Sequence, residues 1–287
     1  MLAPLRRALI RQVRATFNDQ EKGERPIQRS GNALFPRDAV IARVHGDVTS
    51  MMAGGIAALL LQMLHPGALG GVWDHSDVHE DMIGRLRRTA RFIAITTYGD
   101  ADAAEAAIAK VRRIHEQVRG RLPDGTDYRA DDPHLLAWVH VAGALMFLDG
   151  WRRYGEPAMS LADQDRYLAE SGEIARMLGA DPVPQTRAEA ERLIRDFRHE
   201  LRADERARQF RDLVLGARPP TLKEVPVQKL LMSAAVDLLP RWARDMHGLG
   251  ANLAAAPVRA ATFGLASTLR WAFAQEAYRA AQSRGNR

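Results

Sequence analysis

Apolar residues recur every three or four positions through most of the chain, and strand-like alternation with β-branched runs is missing. From Ala101 to Arg119 the stripe runs Ala104, Ile108, Val111, His115, Val118, at spacings of 4, 3, 4 and 3, behind Asp100 as a favourable N-cap. A turn at Leu122-Pro123-Asp124-Gly125 follows. The next helix opens with Asp132 as cap and Pro133 at its first position. Its body, Leu135 to Leu148, is apolar on every side, which predicts a helix surrounded by others. The most apolar stretch, Met51 to Leu64, is about 14 residues. That is short of the ~20 needed to cross a bilayer, so it predicts a core helix.

Further helices are predicted around 161–178, 187–200, 203–215, 227–247 and 258–282. They are separated by Gly179 to Pro184, Pro219-Pro220 and Ala251 to Pro257, which punctuate helices without the length of interdomain linkers. No repeat at a fixed period is visible. The pattern predicts one all-α domain over residues 1–287, with about ten helices.

The first helix, Met1 to Phe17, sets Arg6, Arg7, Arg11 and Arg14 among Leu2, Leu5, Leu9, Val13 and Phe17. It reads either as a peripheral membrane-surface helix or as a terminal helix docked on the protein's own core, the commoner case. It lacks the apolar run and small-residue cleavage site of an export signal. With Cys 0, this points to a cytoplasmic protein, touching membrane at most peripherally.

Composition narrows the chemistry. A chain of 287 residues can bury about three-quarters of its unfolded surface, so no staple is required. Cys 0 excludes disulfides, thiolate nucleophiles, zinc ribbons, iron–sulfur clusters and a thiolate-ligated haem. Hydrophobic content of 46% with 26% charged residues is globular. The net charge of +6 comes almost wholly from arginines scattered along the chain, and aromatics are only 6%. Diffuse basicity without a stacking surface argues against nucleic-acid binding.

Two of the nine histidines occupy unusual positions. His140 sits mid-way along the apolar Leu135–Leu148 helix, and His115 lies on the core-facing stripe of the helix before it, with Arg112 one turn earlier. Either imidazole alone is most simply a satisfied core residue. Together, on consecutive helices expected to pack as antiparallel neighbours, they could face one interior cavity and grip a haem edge-on. A di-iron centre needs paired Glu-x-x-His motifs, and none exists; the nearest approaches are Asp131…His134 and Asp196…His199. His75 and His79 have metal-ligand spacing, but in a polar, Gly-flanked segment that reads more simply as a solvated loop. There is no Gly-x-Ser-x-Gly elbow, and Gly54-Gly55 lacks the Lys of a phosphate loop.

Several blocks resemble the family of MpaB and the latex-clearing rubber oxygenases. They are Gly54 to Gln62 followed by His65-Pro66; Arg85-Leu86-Arg87-Arg88-Thr89 followed by Tyr98-Gly99; Val111 to His115; Tyr128 to Pro133; Trp138-Val139-His140; and Pro240 to Arg244 with Gly248 behind. Their order and spacing define a family-like core over about residues 45–250, with residues 1–40 as an N-terminal arm. The resemblance implies a globin-like helical fold around a buried haem b, whose iron and dioxygen attack a carbon–carbon double bond of an apolar, isoprenoid-like substrate. It assigns His140 as proximal iron ligand. Arg112 becomes a distal residue that hydrogen-bonds bound dioxygen or anchors a propionate, and Arg88 and Thr89 are drawn to the cofactor.

His115 stands where the rubber oxygenases carry a Lys able to close on the iron, so it is either a second iron ligand or a general acid–base. No Glu is found where they have a base; Thr96 or Thr97 falls near that place. Those relatives are also exported. The runner-up expectation is a non-catalytic, bis-His haem-binding or haem-sensing protein. A third is a bundle without haem that binds an apolar small molecule.

Overall fold

The computed structural model describes residues 2–17, 23–217, 219, 221–250 and 254–285. The side chains of Leu2, Ala3, Leu5, Gln12, Ala15, Thr16 and Phe17, and those beyond residue 274, lie outside the described set. The fold is all-α. Its helices are α1 Leu2–Phe17, α2 Val40–His45, α3 Val48–Gln62, α4 Pro66–His75, α5 Met82–Tyr98, α6 Ala101–Gln117, α7 Pro133–Tyr154, α8 Leu161–Leu178, α9 Arg187–Asp196, α10 Glu205–Leu215, α11 Val225–Leu238, α12 Arg241–Met246 and α13 Ala255–Gly285. One small hairpin, β1 Arg119–Arg121 with β2 Asp127–Arg129, joins α6 to α7.

The helices start where short polar side chains can satisfy free amides. Asp100, Asp132 and Ser160 each accept from the first turn they precede, and Thr186 with Glu189 closes a capping box. Gly179, at φ 100°, ends α8 in the left-handed conformation glycine adopts freely.

The core centres on α3 and α7. A Cβ on Gly54 would lie 2.8 Å from the Met146 carbonyl oxygen, and one on Gly150 would lie 2.8 Å from that of Ser50, so glycines let the two backbones nearly touch. Trp138 Nε1 donates to the Gln62 carbonyl at 2.9 Å, and Gln62 Nε2 donates to the Val139 carbonyl at 2.7 Å. Gly54→Ala is therefore expected to cost about 1–3 kcal/mol through overpacking. At Gly264, where a Cβ meets nothing within 4 Å, the same change should stabilise by about 0.5–1 kcal/mol. Urea unfolding of the two variants checks the contrast; equal effects would mean that close approach is not the reason for Gly54.

Three expectations need correction. The helix expected to Arg119 stops at Gln117, because Val118 turns extended and the hairpin begins. There Gly120 lies under the Tyr128 ring, where a Cβ would come within 2.6 Å of the hydroxyl. The helix expected over 227–247 is two, because Pro240 has no amide to continue α11. Most important for function, α6 packs on α5 and α8 while α7 packs on α3 and α8. The hairpin carries the chain away between α6 and α7, so α8 is the neighbour they share.

The N-terminal helix docks on the protein. α1 packs against α13 and α5, with Ile10 buried and Leu9 and Val13 half-buried. No single helix among the described residues is long and apolar enough to cross a membrane; α3 and α4 reach that length only together, across a 105° bend.

Candidate functional site

His140 lies two turns into α7, past the Asp132 cap and Pro133 that fix where the helix starts. Its Nε2 is buried and has no hydrogen-bond partner. Burial pushes its pKa down to about 4, and the guanidinium of Arg176 on α8 pushes the same way. At neutral pH this imidazole is uncharged, so one ring nitrogen carries a lone pair. A buried nitrogen without a partner in a helix core costs stability and calls for an explanation.

His115 sits in the last turn of α6. Its Nδ1 is likewise buried without a partner. Burial lowers its pKa, with Asp131 pulling weakly the other way, so it too is largely neutral. It lines a solvent-open cleft of about 210 Å³ together with Arg112, Glu116, Asp131, Pro133, Leu178 and Gly179. Arg112 is exposed at this cleft. A hydrogen bond from the Asp181 amide to the Pro133 carbonyl, 3.1 Å, ties the end of α8 to the start of α7 beneath it.

The structure brings His115 and Arg112 to one open cleft, which His140 does not line. The relation between the two imidazoles runs through the end of α8: His140 sits by Arg176, and His115 by Leu178 and Gly179. Arg88 and Thr89 are not brought there. Both are exposed on α5, where Arg88 pairs with Asp81 at 3.4 Å and Asp77 at 3.7 Å, and the Thr89 hydroxyl donates to the Arg85 carbonyl.

Of the two threonines near the expected base position, Thr96 is bonded within its own helix, to the carbonyls of Phe92 and Ile93. Thr97 leads to a feature the sequence did not reveal. Its hydroxyl meets His45 Nδ1 at 2.9 Å, and His45 Nε2 meets the Tyr167 hydroxyl at 3.1 Å, all in the interior. Burial pushes His45 down to about 3 and raises Tyr167 far above its ordinary range, so both stay neutral.

A second unforeseen group joins His65 and His134 to the two oxygens of Glu200, at 3.3 and 2.9 Å. His65 Nδ1 already accepts the Gly67 amide, which leaves Nε2 as the donor and unfit to bind a metal. Among the remaining histidines, His79 packs edge-on against Trp73 and His75 lies near Tyr128.

Among the described residues, no group of three or more His, Asp or Glu is placed to hold a bare metal ion. An iron carried in a porphyrin asks only for axial protein ligands. A neutral imidazole with a free, buried Nε2 fits that need, so the residues present fit a haem at His140. On comparison with known protein families, residues 42–271 match the one described as ER-bound oxygenase mpaB/B'/rubber oxygenase, catalytic domain. Neither a curated protein nor a solved structure matches the chain.

Proposed function

The chain belongs to the mpaB and rubber oxygenase family, and from that premise we propose that it is a haem b-dependent oxygenase. Its substrate class would be an apolar, isoprenoid-like molecule, attacked by dioxygen at a carbon–carbon double bond. The observation that carries the reading is the buried, partnerless Nε2 of His140 within the block matched by the family. Bound there, the haem would supply the activation of dioxygen, the part of the chemistry no side chain here can perform.

The chain's own groups supply position and polarity. His140 would hold the cofactor through a lone pair that burial and Arg176 keep free of a proton. Arg112, at the mouth of the cleft, would donate hydrogen bonds to dioxygen or to a carboxylate. His115 is neutral and opens on the same cleft, so it can take a proton from substrate and return it.

The test is oxygen uptake by haem-loaded protein given oligomeric isoprenoids. Uptake with carbonyl products, falling about 10²-fold or more in Arg112→Ala, is the expected result. Haem-loaded protein that consumes no oxygen with any alkene would favour the second reading, non-catalytic bis-His haem binding. That reading draws on the spare buried nitrogen that each of the two imidazoles carries.

The role of His115 has its own readout. Were His115 to ligate the same iron as His140, the haem-loaded ferric protein would be low-spin, and His115→Ala would convert it to high spin. A spectrum that does not change would restrict His115 to proton transfer from the cleft wall.

A further inference from the structure

The net charge is less diffuse than the sequence suggests. α1 carries Arg6, Arg7, Arg11 and Arg14 and no acidic residue. The sequence of α13 carries Arg259, Arg270, Arg279 and Arg284 against Glu276 alone. The two helices pack against each other, and their joint excess of seven positive charges exceeds the +6 of the whole chain. The remainder of the protein is close to neutral. Arg259 and Arg270 pair with the buried Asp237 and Asp47, so the basic face of this helix pair rests on the α1 arginines.

The way α1 docks decides which face is offered outward. Ile10 is buried and Leu9 and Val13 are half-buried, so these three side chains face the protein. Pro4, Arg7, Ala8, Arg11 and Arg14 form the outer face, with small residues between the cations. On α13, Phe263 and Trp271 are 42% and 39% exposed, two helical turns apart. The Arg6 guanidinium lies 4.0 Å over the Trp271 ring, so this aromatic edge adjoins the basic face of α1.

We propose that the outer face of the α1–α13 pair docks on an anionic lipid bilayer, by electrostatic adsorption with Trp271 and Phe263 at the headgroup level. Basic residues beside anionic headgroups attract the surface additively, and amphipathic aromatic rings prefer the interface. A nucleic-acid backbone would satisfy the arginines but give no gain to the two exposed rings. The proposal stands apart from the reading of the haem site, since neither helix supplies a residue to it.

Co-sedimentation of the full chain with vesicles of phosphatidylcholine containing about 30% phosphatidylserine tests it, against phosphatidylcholine alone. Binding is expected only to the anionic vesicles. It should be lost between about 0.01 M and about 1 M salt, as the screening length falls from about 30 Å to about 3 Å. Arg7 and Arg11 are exposed, so Arg7→Glu/Arg11→Glu should melt like the unmutated protein while binding vesicles at least about a hundredfold more weakly. Arg7→Lys/Arg11→Lys should bind normally, because point charge suffices. Three outcomes overturn the proposal: equal binding to neutral vesicles, undiminished binding by the double Glu variant, or binding of a DNA duplex without binding of anionic vesicles.

Discussion

His140→Ala is expected to abolish haem retention, weakening haem affinity by more than about a hundredfold. Losing only the hydrogen-bond partners of an iron or zinc ligand costs about 10–100-fold, so losing the ligand itself should cost more. The helix should survive, because Ala is the best helix former and α7 is held along its length by α3 and α8. Far-ultraviolet circular dichroism separates the two effects. Added imidazole should restore part of the haem binding by filling the vacated place. A folded His140→Ala protein that retains one haem per chain would remove His140 from the site.

The second large effect is acid destabilisation of the haem-free protein, centred on His45. Burial lowers its pKa to about 3 in the folded chain, against about 6.5 when unfolded. Between those values the unfolded state binds the extra proton. The stabilising contribution is therefore complete above pH ~6.5 and is lost as pH falls toward the folded value. The slope is about 1.4 kcal/mol per pH unit for one imidazole. His140, His65, His115 and His247 are also lowered by burial and add to it. His45→Gln, which can still meet Thr97 and Tyr167, should flatten the dependence by about 1.4 kcal/mol per unit between pH 6 and 4. Urea titrations at stepped pH measure this. Parallel curves for the two proteins would show that His45 is not protonated on unfolding.

The helices were legible because their signals are local. Asp100, Asp132 with Pro133, and the stripe from Ala104 to His115 each act within a turn or two, and the helices form where these signals lie. Gly54 was noticed only as failing to be a phosphate loop; its true function, letting α3 meet the backbone of α7, needs the partner helix to be known. The hairpin escaped because three-residue strands carry no period, and its geometry comes from Tyr128 lying over Gly120. Without the hairpin, consecutive helices would be expected to pack side by side, whereas α6 and α7 share α8 as their neighbour. His45 was invisible for a different reason: its partners Thr97 and Tyr167 are 52 and 122 residues away. Glu200 lies similarly far from His65 and His134. His140 stood out because one polar residue in a uniformly apolar helix violates the local pattern. Such a violation is where a functional residue is most readily seen.

The most direct test of the account is the absorption spectrum of the purified chain mixed with an equimolar amount of haem, recorded oxidised, reduced and under carbon monoxide. The account predicts a histidine-ligated Soret band at one haem per chain, shifting with carbon monoxide and missing in His140→Ala. A spectrum indistinguishable from free haem, in protein that is folded by circular dichroism, would contradict it.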